Sequence, residues 1–165
     1  MGYNVTINRQ GLSALFDLKG KKGAMSDHAG GILPVFPDQH NTYTQSAGST
    51  LFHIGRNHWI LRGDISAEDT LISTLKPDQA PSDVSIVQVS DTLTFFSVVG
   101  ADAAQVMSIA CPLDLHSSVF GADAVTYTEV FGLKALVLRQ EGGFEFAVEQ
   151  SFGDLIQDYL DRAIA

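Results

Sequence analysis

Residues 125–163 read VTYTEVFGLKALVLRQEGGFEFAVEQSFGDLIQDYLDRA, and this stretch decides the fold class. Three runs rich in β-branched, aromatic and aliphatic residues, 125–130, 133–139 and 144–148, are separated by Gly132 and by the Gly142-Gly143 pair, residues that tight hairpin turns select. Their succession predicts an antiparallel meander. In the third run Phe144, Phe146 and Val148 alternate with Glu145, Ala147 and Glu149, so one face is expected to be buried and the other mostly solvated. The period then changes. Phe152, Leu155, Ile156, Tyr159, Leu160 and Ala163 recur at helical spacing, with Ser151 placed to cap the helix and Asp154 three residues later. This stripe is expected in the core. The reading is α+β: antiparallel sheets with helices packed on one side, arranged as two small lobes.

Upstream, Ala103, Val106, Met107 and Ala110 form a narrow apolar stripe after the breaker Gly100, and Pro112 stops that helix. The residue before a proline is pushed out of the α region, so Cys111 should be extended and residues 111–116 should form a fixed corner suited to docking. Residues 84–89 and 93–99 read as strands, and 51–54 and 59–61 as two more around Gly55-Arg56-Asn57-His58. Ser66 is the expected N-cap of a helix with Asp69 in its first turn, where an anion suits the helix dipole, and Leu71, Ile72 and Leu75 on its buried face. Pro77 and Pro81 end it and mark the seam, giving an N-terminal lobe at 1–80 and a C-terminal lobe at 81–165. Between Leu12–Leu18 and Thr50, residues 20–49 are punctuated by Gly20, Gly23, Gly30, Gly31, Pro34 and Pro37 and read as a long irregular arm. Typical connections run to about 4–6 residues, so something must pin the arm: a partner chain or its own domain.

A chain of 165 residues can bury roughly 70% of its unfolded surface, enough for one domain or two small lobes. The net charge of −9 lies wholly in residues 83–165, which hold 12 acidic and 3 basic residues, whereas residues 1–82 hold seven of each. Nucleic-acid binders gather Lys and Arg on one face to displace counterions, and this distribution opposes that function. It suits a solvated surface or a face matched to a basic partner. The sequence has no run of about 18 apolar residues and no basic and apolar leader at its start, so a cytoplasmic protein is expected; one cysteine also fits a reducing compartment.

No convincing catalytic set emerges. Cys111 and His116 lie five residues apart across the proline corner, with no flanking signature of an activated thiol. His28, His40, His53, His58 and His116 show neither helical i, i+4 pairing nor a cysteine cluster, so no metal residues are assigned. Gly20-Lys21-Lys22-Gly23 lacks the length and Lys-Ser/Thr of a phosphate cradle, and Gly30-Gly31 is no dinucleotide fingerprint.

One family accounts for the order of the motifs. Ala-Cys-Pro-Leu-Asp-Leu-His at 110–116 resembles the Gly-Cys-Pro-Leu-Asp-Leu-His turn of the gamma subunit of heterotetrameric sarcosine oxidase, a relative of the folate-binding aminomethyltransferases. Residues 33–37 resemble its Leu-Pro segment. Residues 51–61 resemble its Leu-Trp-Leu-Gly-Pro-Asp-Glu-Trp-Leu-Leu segment, with Arg56-Asn57-His58 where the family has Pro-Asp-Glu. Val89-Ser90-Asp91 followed by residues 98–100 is similar to its Asp-Val-Ser and Leu-Ser-Gly, and residues 149–153 to its Arg-Ser-Phe-Ala helix start, with Gln150 in place of the arginine.

The resemblance implies an aminomethyltransferase folate-binding-domain-like fold and a non-catalytic gamma subunit, assembled with alpha, beta and delta subunits that oxidatively demethylate sarcosine. It implies no catalytic, cofactor-binding or metal residues on this chain. FAD, FMN, NAD and tetrahydrofolate belong to the larger subunits and zinc to the smallest, and the chain docks on the alpha subunit. An isolated subunit of this kind should expose an apolar patch. Two other readings are a freestanding folate-binding or one-carbon-transfer protein, and a gamma-like subunit acting on another N-methyl amino acid such as N-methylglutamate. For the folate reading, Asp91 is the residue to face a cleft and accept hydrogen bonds from a pterin; its other reading is a turn aspartate bonded to its own backbone.

Overall fold

A computed structural model describes residues 2–165. In chain order the elements are β1 (Thr6–Arg9), β2 (Ser13–Gly20), α1 (Lys22–Ala29), β3 (Tyr43–Ser46), β4 (Ser49–Gly55), β5 (His58–Asp64), α2 (Glu68–Leu75), β6 (Val84–Gln88), β7 (Leu93–Val99), α3 (Ala103–Ala110), β8 (Val125–Val130), β9 (Leu133–Gln140), β10 (Gly143–Glu149) and α4 (Gly153–Ile164). The chain divides into two compact units, one of Leu12–Asp91 and one of Met1–Gly11 with Thr92–Ala165. The division expected at 80/81 is therefore displaced to 91/92, and the described residues before Leu12 join the C-terminal unit. The proline segment is not the seam: Pro77–Gln79 forms a 3-10 turn after α2, with Lys76 in the left-handed region at φ 45°.

The two units repeat one plan. Each is strand, helix, three-strand meander, helix, strand, and the sheet orders β3-β4-β5-β2-β6 and β8-β9-β10-β7-β1 correspond strand for strand. All the pairings are antiparallel. In the second repeat the closing strand comes from the N-terminus. Details recur as well. Gly20 ends the first strand of its repeat and Gly100 directly follows the first strand of the other, at φ 146° and 142°, and a Cβ there would lie 2.6 Å from the Asp83 carbonyl oxygen and 2.3 Å from that of Asn4. Each meander leads into a helix through a 3-10 turn, Ile65–Ala67 before α2 and Gln150–Phe152 before α4.

Each unit has its own core. Phe16, Leu18, Leu51, Trp59, Leu61, Leu71 and Leu75 are central in Leu12–Asp91; Phe96, Val98, Val106, Met107, Phe144, Phe146, Ile156 and Leu160 in the other. Burying one such phenylalanine contributes about 1.5–3 kcal/mol, and Phe96 and Phe146 also stack with centroids 5.4 Å apart. The sequence periodicity identified α3 correctly, with Ala103, Val106, Met107 and Ala110 all buried and Cys111 extended at φ −124°, ψ 126°. Several expectations change. Glu145 and Ala147 are buried along with Phe144, Phe146 and Val148, so alternation in β10 does not separate a wet face from a dry one. Asp64, not Ser66, caps the turn before α2, its carboxylate accepting from the Ser66 amide at 2.8 Å. Ser151 caps nothing, because it lies inside the 3-10 turn and α4 begins two residues later.

The arm at 20–49 folds onto its own unit. It contains α1 and β3, and Met25, Ala29, Leu33 and Phe36 enter the core. His53 of β4 pins its remaining loop: the Nδ1 group bonds the Gln39 carbonyl at 3.0 Å, and the ring lies 4.3 Å from His40 and 5.4 Å from Trp59. Burial, with His40 and Lys22 nearby, holds its pKa below the ordinary 6.5 despite the Gln39 bond, which favours the charged ring. Unfolding then takes up a proton, so stability should fall as pH is lowered through about 6.5 toward the folded-state value. Melting temperatures between pH 7.5 and 5.5 should show a shallower slope for His53→Phe than for the unaltered chain. Equal slopes would place the pH dependence elsewhere.

Candidate functional site

The groups weighed in the sequence occupy largely separate settings. Cys111 is buried in the core at the end of α3, while His116 is exposed and its Nδ1 shares a hydrogen bond of 2.7 Å with the Ser118 hydroxyl. His28 bonds the Leu75 carbonyl at 2.8 Å, and His58 bonds Asp17. His40 and His53 meet, but among the described residues no group of three His, Cys, Asp or Glu side chains is placed to hold a metal ion. The Gly20-Lys21-Lys22-Gly23 segment is the entry to α1, with Lys21 at its N-cap. The 111–116 corner is held from within: the Arg139 guanidinium donates to the Phe120 carbonyl at 2.7 Å and to that of Leu115, and lies over the Phe144 ring at 4.7 Å.

Asp91 does border a concavity. A depression of about 440 Å³ is lined by Leu12, Ile65, Glu68, Gln88, Ser90 and Asp91, all within one unit. The β2–β5 pairing, which sets Ser13 opposite Asp64, places Leu12 near Ile65, and both remain exposed. Ser90 is buried, accepts the Leu15 amide at 3.0 Å and donates its hydroxyl to Glu68. The Ser90 hydroxyl and then the Gln88 amide hold the Glu68 carboxyl below its usual range, against a smaller desolvation effect. Glu68 is thus kept ionised at neutral pH. Sequence reasoning found Asp91 and missed Leu12, Ile65, Glu68 and Gln88, which come from three separate segments.

A second surface lies on α4 and the 3-10 turn before it. Ile156 and Leu160 are fully buried, but Phe152, Leu155 and Tyr159 remain 36%, 40% and 37% exposed. The expectation that the whole stripe enters the core is therefore corrected. Phe152, Leu155 and Tyr159 follow one another at i, i+3 and i+7, and Phe131, from the β8–β9 turn, meets Tyr159 at 5.3 Å. The three side chains are apolar, and the Asp158–Arg162 ion pair, at 2.8 Å, neighbours Tyr159 along the helix. The three make the kind of exposed patch expected of a chain that associates.

This architecture is the class of fold found in sarcosine oxidase and aminomethyltransferase. A chain of heterotetrameric sarcosine oxidase from Corynebacterium sp. U-96, solved with pyrrole 2-carboxylate, superposes with a TM-score of 0.80 at 21% identity, over 97% of this chain and 83% of that one. Aminomethyltransferase T of the glycine cleavage system from Bartonella henselae superposes with a TM-score of 0.73 at 12% identity, over 98% of this chain. This chain spans 47% of that protein's length. No protein-family profile and no curated protein matches the sequence.

Proposed function

We propose that this chain is a non-catalytic subunit of a heterotetrameric sarcosine oxidase-type complex, the gamma subunit, assembling with an alpha subunit and with beta and delta chains. The observation that carries the reading is the likeness to a chain of such an oxidase along nearly the whole length, 97% of this chain and 83% of that one. The exposed α4 strip supports it, because an obligate subunit keeps apolar surface for its partner. In this proposal FAD, FMN, NAD, tetrahydrofolate and zinc belong to the partner chains, the complex works in the cytoplasm, and its substrate is sarcosine or a related N-methyl amino acid such as N-methylglutamate.

The α4 strip gives the test. Leu155→Asp combined with Tyr159→Ala should leave the isolated chain folded, since Ile156 and Leu160 still fill the core, yet should prevent it from joining the complex. Sarcosine-dependent peroxide production would then be lost from the material carried by the tagged chain. Full assembly of the double variant would remove α4 from the interface. The second reading, a freestanding folate-binding or one-carbon protein, has the Asp91 depression in its favour. It requires saturable tetrahydrofolate binding to the isolated chain, lost in Asp91→Asn.

A further inference from the structure

The internal repeat exposes a difference between the two units. In the unit containing β7, Phe96 pairs with Arg9 of the closing strand; in the unit containing β2, Phe16 pairs with Gln88. Gln88 is therefore the counterpart of Arg9. By the same correspondence the first residue of the following helix is Gly153 in one unit and Glu68 in the other, and the second is Asp154 or Asp69. Arg9 occupies its position fully: Nε donates to Thr94 at 3.1 Å, a terminal nitrogen meets Asp154 at 2.6 Å, and the guanidinium lies 5.8 Å from the Phe96 ring centre. Gly153 makes the space, since a Cβ there would lie 2.0 Å from the Arg9 guanidinium.

In the other unit the cation is missing and the acids remain. Glu68 and Asp91 line the depression, Asp64 borders it one residue before Ile65, and Asp69 follows Glu68. None of the four has a cationic partner among the described residues. The walls beside them, Leu12 and Ile65, are exposed and apolar, matching the methylene stem of a long basic side chain. We infer that the depression receives an arginine side chain from a partner protein, its stem along Leu12 and Ile65 and its guanidinium between Glu68 and Asp91, beside Gln88; it supplies from outside the cation that this unit lacks and does not repeat the Arg9–Asp154 pair, whose acid corresponds to Asp69. That the donor is a subunit of the oxidase-type complex rests on the proposed function; the preference for a guanidinium does not.

Two measurements separate these claims. Argininamide, titrated at low ionic strength into the isolated chain and followed by amide NMR, should shift the Gln88, Ser90 and Asp91 signals, and glycinamide at equal concentration should shift them far less. Gln88→Arg supplies the cation from within, so it should abolish those shifts and raise the melting temperature of the isolated chain. In the purified complex Gln88→Arg and Glu68→Gln should each weaken retention of this chain by about tenfold, with a smaller dependence on salt. Argininamide shifts without any complex would uphold the cation site and reject the subunit reading. A complex that binds the variants as tightly as the unaltered chain, or argininamide shifts no larger than those of glycinamide, overturns the inference.

Discussion

Gly100→Ala is expected to destabilise the chain by about 3 kcal/mol or more, a fall of roughly 6–12 °C in melting temperature. Two causes combine. The residue sits at φ 142°, which a Cβ disfavours, and that Cβ would lie 2.3 Å from the Asn4 carbonyl oxygen and 2.8 Å from the Val5 Cα. Those contacts are backbone atoms where β1 joins β7, so relief requires moving the strand that closes the sheet. Gly20→Ala should act in the same direction through Asp83 in the other repeat. Gly23→Ala is the control: nothing lies within 4 Å and the site is helical, so a small gain of at most about 1 kcal/mol is expected. Thermal unfolding of the three variants checks the set, and a Gly100→Ala chain as stable as its parent would contradict the close approach.

The second large effect is expected at Arg139. Arg139→Met keeps much of the stem but removes the donors to the Phe120 and Leu115 carbonyls and the cation over Phe144. Charge-assisted bonds contribute about 1.5–3 kcal/mol each, so a loss near 3 kcal/mol is expected. Arg139→Lys should recover only part of it, because a lysine lacks the planar fork that reaches both carbonyls. Hydrogen exchange should show faster opening of residues 111–124 in Arg139→Met, with protection of α4 changed less. Unaltered exchange in 111–124 would mean that the corner is held by Pro112 and the buried Cys111, Leu115 and Phe120 alone.

The parts of the fold legible in the sequence are those set by local chemistry. Pro112 fixes the end of α3, Gly132 and Gly142 occupy positive φ in the β8–β9 and β9–β10 turns, and β6 and β7 begin at the residues their patterns indicate. Illegible parts depend on distant partners. β1 is four residues long and only Ile7 among its side chains is markedly apolar; its membership in the C-terminal unit follows from pairing with β7 across some 90 residues, which periodicity does not encode. The helix α1 was hidden because only Met25 and Ala29 are buried along it, too few to mark a stripe. Both misplaced caps share one cause, the 3-10 turn that follows each meander and shifts the helix start past Ser66 and Ser151.

The same division applies to function. Hydrophobic spacing reported that α4 has an apolar face but not how wide a neighbour covers it, so the exposed edge at Phe152, Leu155 and Tyr159 became visible only in three dimensions. Asp91 drew notice through its place before β7. Its companions Glu68 and Gln88 carry no local signal of ligand contact; only the comparison of Gln88 with Arg9 gives their arrangement meaning.

The central claim is that this chain works inside a larger oxidase-type assembly, and the most direct measurement is the mass and composition of the particle that contains it in its own cell. Gentle purification through a tag, followed by native mass spectrometry and an absorbance spectrum, reads both. The account predicts about four different chains in fixed proportion, flavin absorbance, and peroxide formed when sarcosine or another N-methyl amino acid is added. A colourless particle made of this 17.7 kDa chain alone, obtained in full yield, would contradict it.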